Sequence, residues 1–512
     1  MKKLTYIQGA FILTMTNLIT GILAFAYRMY LSRSIGAEGM GVFQLVMPLY
    51  MLMITLVSGG ISTAVSKLVA ESHASNNFKN IYKITRICFI SIGGWSLLIC
   101  MLIVFNADFV AYYILKDSRT VFSIMILTPA VFFVSMAAIL KGYFYGIQNV
   151  KPPAVIDILE KIVRLGSLIA ITSYLIPYGI AYVCAGAMLA MTAGEFLSLV
   201  LLYLTYRFRK SSKINNVNTE STISIIKKVL HNAIPLSISG ALATIMDMLC
   251  AVLVPSILRK SGYSSSTALA LYGQLTGMVM PLLFFPFIIV ASLSITLVPA
   301  VTSSFTSKNY TALNKKSNDS LMLTTIVGFA ATAFFLVYPS EACRIFFEQP
   351  QAGTMLFWMA LGCVLEYWQF TLFAIMSGVG LQKKVLVNSV LHIFVTLACI
   401  YLLLPIPQIG IYGYIIGFNL SAVIVVAANL FALRKIPQIK IDFFKTVTKP
   451  FVCFSGLTVF LKYCNSFLIS LGITGLNLTL TCIIGFFVYI FLLLLTGTLT
   501  SSQLKSNISF RN

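Results

Sequence analysis

The sequence predicts an all-α polytopic membrane protein, because its composition and its apolar runs both exclude an ordinary soluble enzyme. Only 10% of its 512 residues are charged and 59% are hydrophobic, whereas soluble domains carry roughly 25% charged residues. Apolar runs of about 20 residues recur along the chain, and each is long enough to cross a hydrocarbon core of about 30 Å. No hydrophilic stretch is long enough for a separate soluble domain, so any site must lie within the helices or on short loops.

About fourteen membrane spans are predicted, taken in order from the N-terminus. Lys2 and Lys3 precede an apolar run that is too long for the core of a secretory signal, so the first helix is predicted to be retained. The predicted spans are 8–31, 42–66, 84–106, 121–145, 153–175, 178–205, 230–257, 270–301, 320–338, 353–378, 385–404, 411–432, 447–464 and 473–496.

The basic residues predict the orientation. The formal net charge is +22, from 36 Lys and Arg against 14 Asp and Glu. With the N-terminus inside, about 26 basic residues fall on the cytoplasmic side and about seven on the outer side, which is the asymmetry of a bacterial inner-membrane protein. Both termini are therefore predicted to be cytoplasmic. The charge reflects topology, so no nucleic-acid partner is expected.

The sequence offers no pattern typical of an enzyme. Its ten cysteines are scattered singly, mostly in apolar runs, without the spacing of metal ligands. No Ser/His/Asp set, phosphate-binding loop or dinucleotide fingerprint occurs. We therefore predict a protein that is not an enzyme and needs neither cofactor nor metal, and direct use of ATP is not expected.

Two halves of the chain share landmarks in the same order. Lys2-Lys3 and Lys227-Lys228 each open a helix, and the next helix carries Val46-Met47-Pro48-Leu49 in one half and Val279-Met280-Pro281-Leu282 in the other. Six helices separate the copies, which predicts parallel repeats around a central cleft; chance similarity of apolar helices is the alternative. The predicted parts are an N-lobe at 1–205, a cytoplasmic linker at 206–229, a C-lobe at 230–432, and two further helices with a tail at 433–512.

These landmarks carry a family resemblance. The stretches Tyr27–Gly41 and Ser58–Glu71 resemble the opening of bacterial polysaccharide and lipid-linked oligosaccharide exporters. The stretch Tyr272–Leu282, continuing to Ser294–Pro299, is similar to the stage V sporulation protein B family, which shares a superfamily with MurJ-type lipid II flippases and MATE carriers. The resemblance implies alternating access between two six-helix lobes. It also implies a lipid-linked pyrophosphate saccharide as substrate, a peptidoglycan precursor moved from the inner to the outer leaflet, with spore cortex formation as a narrower expectation.

The resemblance to the MurJ type is incomplete. Those flippases place basic residues on the second and eighth helices within the cleft. Here the corresponding stretches, Leu52–Leu56 and Gln274–Gly277, contain no cation. The sequence thus departs from the pattern with which lipid II would be held.

Charged residues within predicted spans are the first candidates for a site, since each costs roughly 2.5–3.5 kcal/mol at mid-helix on insertion scales. Asp157, Glu160, Lys161 and Arg164 share one face of the fifth predicted helix. One hypothesis is an internal ladder of the i,i+4 pairs Asp157–Lys161 and Glu160–Arg164. The other is that the face lines the cleft and that Lys161 or Arg164 binds phosphate; it requires that these cations are not turned to neighbouring helices.

Further candidates lie on other predicted helices. Arg28 and Arg33 end the first helix, where Arg28 either contacts substrate or extends to the interface. Asp247 is a candidate to pair with Arg28 or to bind a proton or a monovalent cation. Glu366 and Glu195 are lone carboxylates, each a structural contact or a coupling site. Gln274 on the eighth helix is a candidate for hydrogen bonds to sugar hydroxyls.

Three other functions compete with a flippase. A cation-coupled drug or metabolite antiporter of the MATE type requires an acidic cleft, dominated by Asp247, Asp157 and Glu366. A membrane-embedded glycosyltransferase requires outer loops with carboxylates and a metal site, and the outer loops here are short. A scaffold does not require buried charge on several helices. A flippase with a lipid-linked oligosaccharide and membrane lipid as partners is the preferred prediction.

Overall fold

The computed structural model describes residues 6–209, 220–436, 438–470 and 477–498. These residues are almost entirely helical, and they contain no β-strand. The chain divides at Met278/Val279 into two units, which we call unit 1 (Met1–Met278) and unit 2 (Val279–Asn512). Each unit is described by itself. The predicted lobes have different limits and stay a prediction, and part of the predicted linker, 210–219, lies outside the described residues.

Unit 1 contains nine α-helices among its described residues. They are α1 (Tyr6–Ser58), α2 (Ile61–Ala74), α3 (Phe78–Phe105), α4 (Ala107–Phe109), α5 (Val121–Gly146), α6 (Lys151–Leu175), α7 (Ile180–Arg209), α8 (Thr222–Lys260) and α9 (Ser265–Gly273). A π-helical turn at Val110–Leu115 and a 3₁₀ turn at Ser118–Thr120 connect α4 to α5. A second π-helical segment, Gln274–Val279, follows α9.

Two glycines interrupt the first helices: Gly36 lies between the first two predicted spans, and Gly60 lies inside the second, 42–66. Gly36 lies inside α1 with φ 67°, so α1 is two helices joined at a kink. Gly60, with φ 70°, separates α1 from α2. A Cβ at Gly60 would lie 2.7 Å from the Leu236 Cβ and 2.9 Å from the Ala233 carbonyl oxygen, so α8 passes close to this break. The hydroxyl of Ser237 donates to the Gly59 carbonyl at 2.5 Å, which fixes α8 at the same point.

Unit 2 is built from ten further α-helices among its described residues. They are α10 (Met280–Phe284), α11 (Phe287–Thr306), α12 (Tyr310–Val337), α13 (Pro339–Phe347), α14 (Gly353–Ala360), α15 (Cys363–Gly378), α16 (Gln382–Leu403), α17 (Tyr412–Arg434), α18 (Lys449–Ser470) and α19 (Asn477–Leu495). Trp368, Leu372 and Ile375 of α15 form a core with α11, α12 and α17. Leu457 and Tyr489, of α18 and α19, pack on α12 in a second core.

Ten helices of the described residues are long and apolar enough to cross a membrane. An eleventh results if Pro350–Ala360 and Cys363–Gly378, bent by 54°, form one span. Every predicted span overlaps an observed helix, but the number fourteen stays a prediction. α6 is not among the ten because its charged face interrupts every apolar stretch of sufficient length. The termini, 1–5 and 499–512, lie outside the described residues. Their cytoplasmic location therefore stays a prediction.

The eighth predicted span, 270–301, differs from the structure. The chain there forms the π-helical segment, α10 and α11, with a break at Phe285 and Pro286 between the two α-helices. Pro286 has no N–H to donate, so it favours the start of a new helix over the continuation of the old one. The stretch predicted as one span is therefore two helices, divided at Pro286.

The turns of the two units support the internal repeat. Left-handed residues that end helices occur at Asn76, Lys116 and Gln148 in unit 1, and at Lys308, Glu348 and Gly380 in unit 2. Each residue of the second set follows its counterpart at one constant separation in sequence. The hydrogen bonds recur as well: Asn77 N donates to Ser72 O at 2.8 Å, and Asn309 N donates to Ser304 O at 2.9 Å. Chance similarity of apolar helices does not account for this recurrence.

Candidate functional site

Six charged side chains lie together inside unit 1, and we call them the charged cluster. Its members are Lys141 of α5; Asp157, Glu160, Lys161 and Arg164 of α6; and Glu195 of α7. The cluster has three cations and three carboxylates, so its formal charges cancel. Isolated charges in an apolar bundle are strongly unfavourable, and pairing is what makes their burial tolerable.

Arg164 is the centre of the cluster. Its Nη2 lies 2.5 Å from Oε1 of Glu160, one turn back on α6, and 2.6 Å from Oε1 of Glu195 on α7. Its side chain is 12% exposed. The buried Nε of Arg164 donates no hydrogen bond to any described residue. One guanidinium nitrogen is thus shared by two carboxylates, while another donor of the same group is unused.

A glycine on α7 brings the two carboxylates together. A Cβ at Gly194 would lie 3.3 Å from the Arg164 Cβ, from the Glu160 carbonyl oxygen and from Glu160 Oε1. A larger residue at this position would therefore push α7 away from α6. The close approach allows Glu195, the next residue, to reach Arg164 across the helix interface.

Two more ion pairs extend the cluster. Lys161 Nζ lies 2.8 Å from Glu160 Oε2, and Lys141 Nζ lies 2.7 Å from Asp157 Oδ1. Of the two predicted i,i+4 pairs, Glu160–Arg164 is present. The pair Asp157–Lys161 is wrong, because Lys141 of α5 takes Asp157 and Lys161 turns to its neighbour in sequence.

Two components of this site were missed from the sequence. Glu195, interpreted as a lone carboxylate, is a partner of Arg164. Lys141, which lies in the predicted span 121–145 and was counted only among the cytoplasmic basic residues, is a partner of Asp157. The sequence contained one signal for Lys141. It stands about as far before the α5–α6 turn as Asp157 stands after it, so the two residues lie at a similar height on adjacent antiparallel helices. For Glu195 the signal was weaker: a Gly-Glu pair in an apolar helix.

Tyrosines of α1 lie next to the cluster. The Tyr50 hydroxyl is buried, forms no hydrogen bond with a described residue, and is within electrostatic range of Glu195, Arg164 and Glu160. The Tyr27 hydroxyl donates to the Ala187 carbonyl of α7 at 3.0 Å. Helix α1 therefore places two tyrosine hydroxyls in this region: that of Tyr27 forms a hydrogen bond, and that of Tyr50 forms none with a described residue.

The other candidates of unit 1 do not join the cluster. Asp247 is exposed on α8, and Arg28 is partly buried on α1. No salt bridge links these two residues, so the predicted Arg28–Asp247 pair is wrong. Arg33 is exposed on α1, and Gln274 is buried at the start of the π-helical segment.

Glu366 is a buried carboxylate of unit 2, outside the charged cluster. This residue of α15 is only 4% exposed. Its Oε1 is buried and accepts no hydrogen bond from a described residue, and no described cation forms a salt bridge with it. Gln369 lies beside it, one turn further along the helix. A buried carboxylate without a cation is a candidate for proton or cation binding.

The family model described as polysaccharide biosynthesis protein matches residues 6–305, which is more than half of the chain. The chain belongs to this family. Stage V sporulation protein B of Bacillus subtilis (strain 168) is 29% identical over 444 residues, with 86% of each chain covered. The lipid II flippase MurJ of the same organism is 26% identical over 424 residues, covering 76% of each chain.

Solved structures share the fold of this family member. A lipid II flippase MurJ in an inward closed conformation superimposes with a TM-score of 0.68 at 15% identity, covering 93% of this chain and 97% of that one. An inward-facing multidrug resistance MATE family transporter of the MOP superfamily gives 0.64 at 14% identity, covering 81% and 94%. The chain therefore shares the all-helical fold of these two membrane proteins. The resemblance predicted from the three sequence stretches is confirmed.

Proposed function

We propose that this polysaccharide biosynthesis family member moves a lipid-linked pyrophosphate saccharide from the inner to the outer leaflet by alternating access. The observation that carries the proposal is the match of residues 6–305 to the polysaccharide biosynthesis family. Arg164 pairs with Glu195 of the neighbouring helix α7, so the condition set for phosphate binding, that this cation is not turned to a neighbouring helix, is not met in this structure. A role of Arg164 in phosphate binding therefore requires that its ion pairs are broken first. The relatives support the substrate class, because one of them is a lipid II flippase and another a sporulation protein. A peptidoglycan precursor is the substrate that fits both relatives, and spore cortex formation is the narrower role.

The paired state of the cations shapes the proposed mechanism. Lys161 and Arg164 are turned to carboxylates, so a pyrophosphate must compete with Glu160 or Glu195 for Arg164. Protonation of one of these carboxylates leaves the cluster with a net positive charge. The planar guanidinium fork then matches two phosphate oxygens, and its unused Nε adds a further donor. Substrate entry is thereby linked to proton uptake.

The membrane potential favours the outward direction. With the cytoplasm negative, moving an anion outward releases about 2.3 kcal/mol per charge per 100 mV. A pyrophosphate headgroup therefore gains free energy from the potential, and no nucleotide hydrolysis is required. In this mechanism the headgroup has three further contacts, with Arg28, Arg33 and Gln274. Asp247 binds the coupling ion.

Depletion of the protein in its host tests the substrate class. The lipid-linked precursor is expected to accumulate on the cytoplasmic leaflet, measured as the fraction that an externally added glycan-modifying enzyme cannot reach. Restoring the wild-type chain is expected to return that fraction to its starting value. An unchanged leaflet distribution after depletion would contradict the proposal.

A cation-coupled antiporter of the MATE type is a second candidate, and Glu366 is the observation that favours it. A buried carboxylate that no described cation neutralises is suited to bind a proton or a monovalent cation. The antiporter predicts that the chain protects cells against a cationic dye and that Glu366→Gln removes the protection. The flippase predicts no protection by either form.

A further inference from the structure

An apolar groove lies on the side of unit 1, between α3 and α7, with α5 as its floor. Phe132 and Met136 of α5 form the floor, and Leu97 of α3 and Leu204 of α7 form the two sides of a cavity of about 490 Å³. The groove exists because Gly93 and Gly94 replace side chains on α3. A Cβ at Gly94 would have no atom within 4 Å, so the space beside it is empty of protein.

One end of this groove is basic and aromatic. A second cavity of about 730 Å³ is lined by Lys79, Lys83 and Arg86 of α3, together with tyrosines of α3 and α7. The two cavities share Phe89 and Tyr203 in their walls, so the basic end continues directly into the apolar groove. The basic end coincides with the side predicted to be cytoplasmic from the distribution of Lys and Arg.

Two cations of this basic end, Lys79 and Arg86, are not neutralised by described carboxylates. The third, Lys83, is already engaged, since its Nζ donates to the main-chain carbonyl of Glu220 at 2.5 Å. The Glu220 carboxylate pairs instead with Lys228 at 2.7 Å, and this hydrogen bond lowers the pKa of Glu220. Lys79 and Arg86 are exposed and form no salt bridge with a described residue. The basic end therefore keeps a net positive charge.

Aromatic side chains hold the boundary between the basic end and the apolar groove. The Tyr206 ring packs edge-on against Tyr143 at 4.9 Å and against Tyr82 at 6.2 Å between ring centroids. Tyrosines are enriched where a protein meets the headgroup region, because the ring is apolar and the hydroxyl is wet. Their position fixes the depth at which a headgroup would end and acyl chains would begin.

We propose that this groove is a binding site for an anionic phospholipid of the cytoplasmic leaflet, separate from the charged cluster. The phosphate would lie between Lys79 and Arg86, and one acyl chain would occupy the recess at Gly93 and Gly94. Basic pockets between membrane helices on the cytoplasmic side are typical sites for anionic headgroups. The described lining residues include no amide or carboxylate side chain, the groups that recognise sugar hydroxyls, which favours a phospholipid over the sugar-bearing substrate.

Native mass spectrometry of the purified full chain tests the headgroup end, with phosphatidylglycerol as the anionic probe and phosphatidylcholine as the neutral one. The wild-type chain is expected to retain phosphatidylglycerol in preference to phosphatidylcholine. The double variant K79Q/R86Q is expected to bind phosphatidylglycerol roughly 30-fold more weakly, since it removes two cations at the headgroup. The matched control K383Q/K384Q removes two exposed lysines at the start of α16 and is expected to bind as the wild type does.

The acyl end has its own variant. Gly94→Leu fills the recess without a backbone clash, because the space around a Cβ there is open. It is expected to reduce phosphatidylglycerol binding at least tenfold, whereas Gly166→Leu, an exposed helical glycine of α6 with equally open surroundings, is expected to have no effect. Equal binding by the wild type, K79Q/R86Q and Gly94→Leu would overturn the proposal. Equal retention of the two lipids would also overturn it, since that is ordinary annular lipid.

A measurement on the unmodified protein keeps the proposal testable if a variant fails to fold. Phosphatidylglycerol with a photoreactive acyl chain is expected to label peptides that contain Phe89–Leu97 and Leu199–Leu204. Labelling spread evenly over all membrane helices would contradict the site.

Discussion

Arg164 is the side chain on which the proposed transport depends most. Substitution by Ala leaves Glu160 and Glu195 buried close together without their cation, and it removes the only fork in the cluster. We expect Arg164→Ala to lower flipping at least a hundredfold, measured by precursor accessibility in depleted cells. Arg434→Ala, which removes an exposed arginine in the last turn of α17, is the control and is expected to be fully active.

The shape of the guanidinium can be separated from its charge. Arg164→Lys keeps the positive charge but cannot donate two parallel hydrogen bonds to phosphate or to two carboxylates. We expect a protein that stays folded in the membrane but flips at least tenfold more slowly, measured in the same assay. Full activity of the lysine variant would show that charge alone is sufficient and would contradict recognition by the fork.

Glu195 is predicted to restrain Arg164. Glu195→Gln removes one negative charge and leaves the cluster with a net positive charge. We expect a lower unfolding temperature without substrate, since an ion pair is lost, and a larger stabilisation by a lipid pyrophosphate, since less competes for the guanidinium. Thermal unfolding in detergent, with and without that lipid, measures both effects.

Asp108→Asn serves as the control for Glu195→Gln, because Asp108 is an exposed carboxylate that forms no salt bridge with a described residue. Asp108→Asn is expected to change neither the unfolding temperature without substrate nor the stabilisation by the lipid pyrophosphate. Stabilisation of Glu195→Gln equal to that of the wild type would contradict the proposed competition between carboxylate and phosphate.

Residue spacing predicted part of this site, and packing decided the rest. The spacing of Asp157, Glu160, Lys161 and Arg164 placed them on one helical face, and the pair Glu160–Arg164 follows from it. The partners Lys141 and Glu195 stand on other helices. Which helices adjoin α6, and how closely Gly194 lets α7 approach, depends on tertiary packing that no local pattern contains.

At the scale of elements, the break between α1 and α2 depends on Gly60. This residue has φ 70° at the start of α2, and an added Cβ would meet Leu236 and Ala233 of α8. Gly60→Ala is therefore expected to lower stability by about 1–3 kcal/mol, from left-handed strain and the contact with α8. The unfolding midpoint of the purified variant measures this. Gly166→Ala, with open surroundings, is the control; equal midpoints for both variants would refute the strained break.

The apolar pattern predicted where helices occur better than where they end. Runs of about 20 apolar residues correspond to observed helices throughout the described residues, because burial of the backbone in lipid requires helix. The same pattern did not show the kink at Gly36 between the two halves of α1, nor the exact point near Pro286 at which a new helix starts. Such details depend on single residues whose backbone conformation the hydropathy does not report.

At the scale of the whole molecule, the recurrence of turns supports a duplicated architecture. The sequence suggested it from two landmarks near the starts of the halves, and the left-handed residues extend the correspondence far beyond them. The chain belongs to the polysaccharide biosynthesis family and shares its fold with a MurJ flippase and a MATE transporter, and this supports the proposed transport. The charges do not repeat, since the charged cluster is in unit 1 and Glu366 in unit 2 has no paired cation among the described residues.

The most direct measurement is flipping by the purified chain in proteoliposomes that contain a fluorescent lipid-linked pyrophosphate disaccharide. The wild-type chain is expected to move the probe between leaflets, and faster when the potential favours anion movement in that direction. Arg164→Ala, incorporated to the same level, is expected not to move the probe above the rate of protein-free vesicles. Wild-type vesicles no faster than protein-free ones, or equal rates for the wild type and Arg164→Ala, would contradict transport through Arg164.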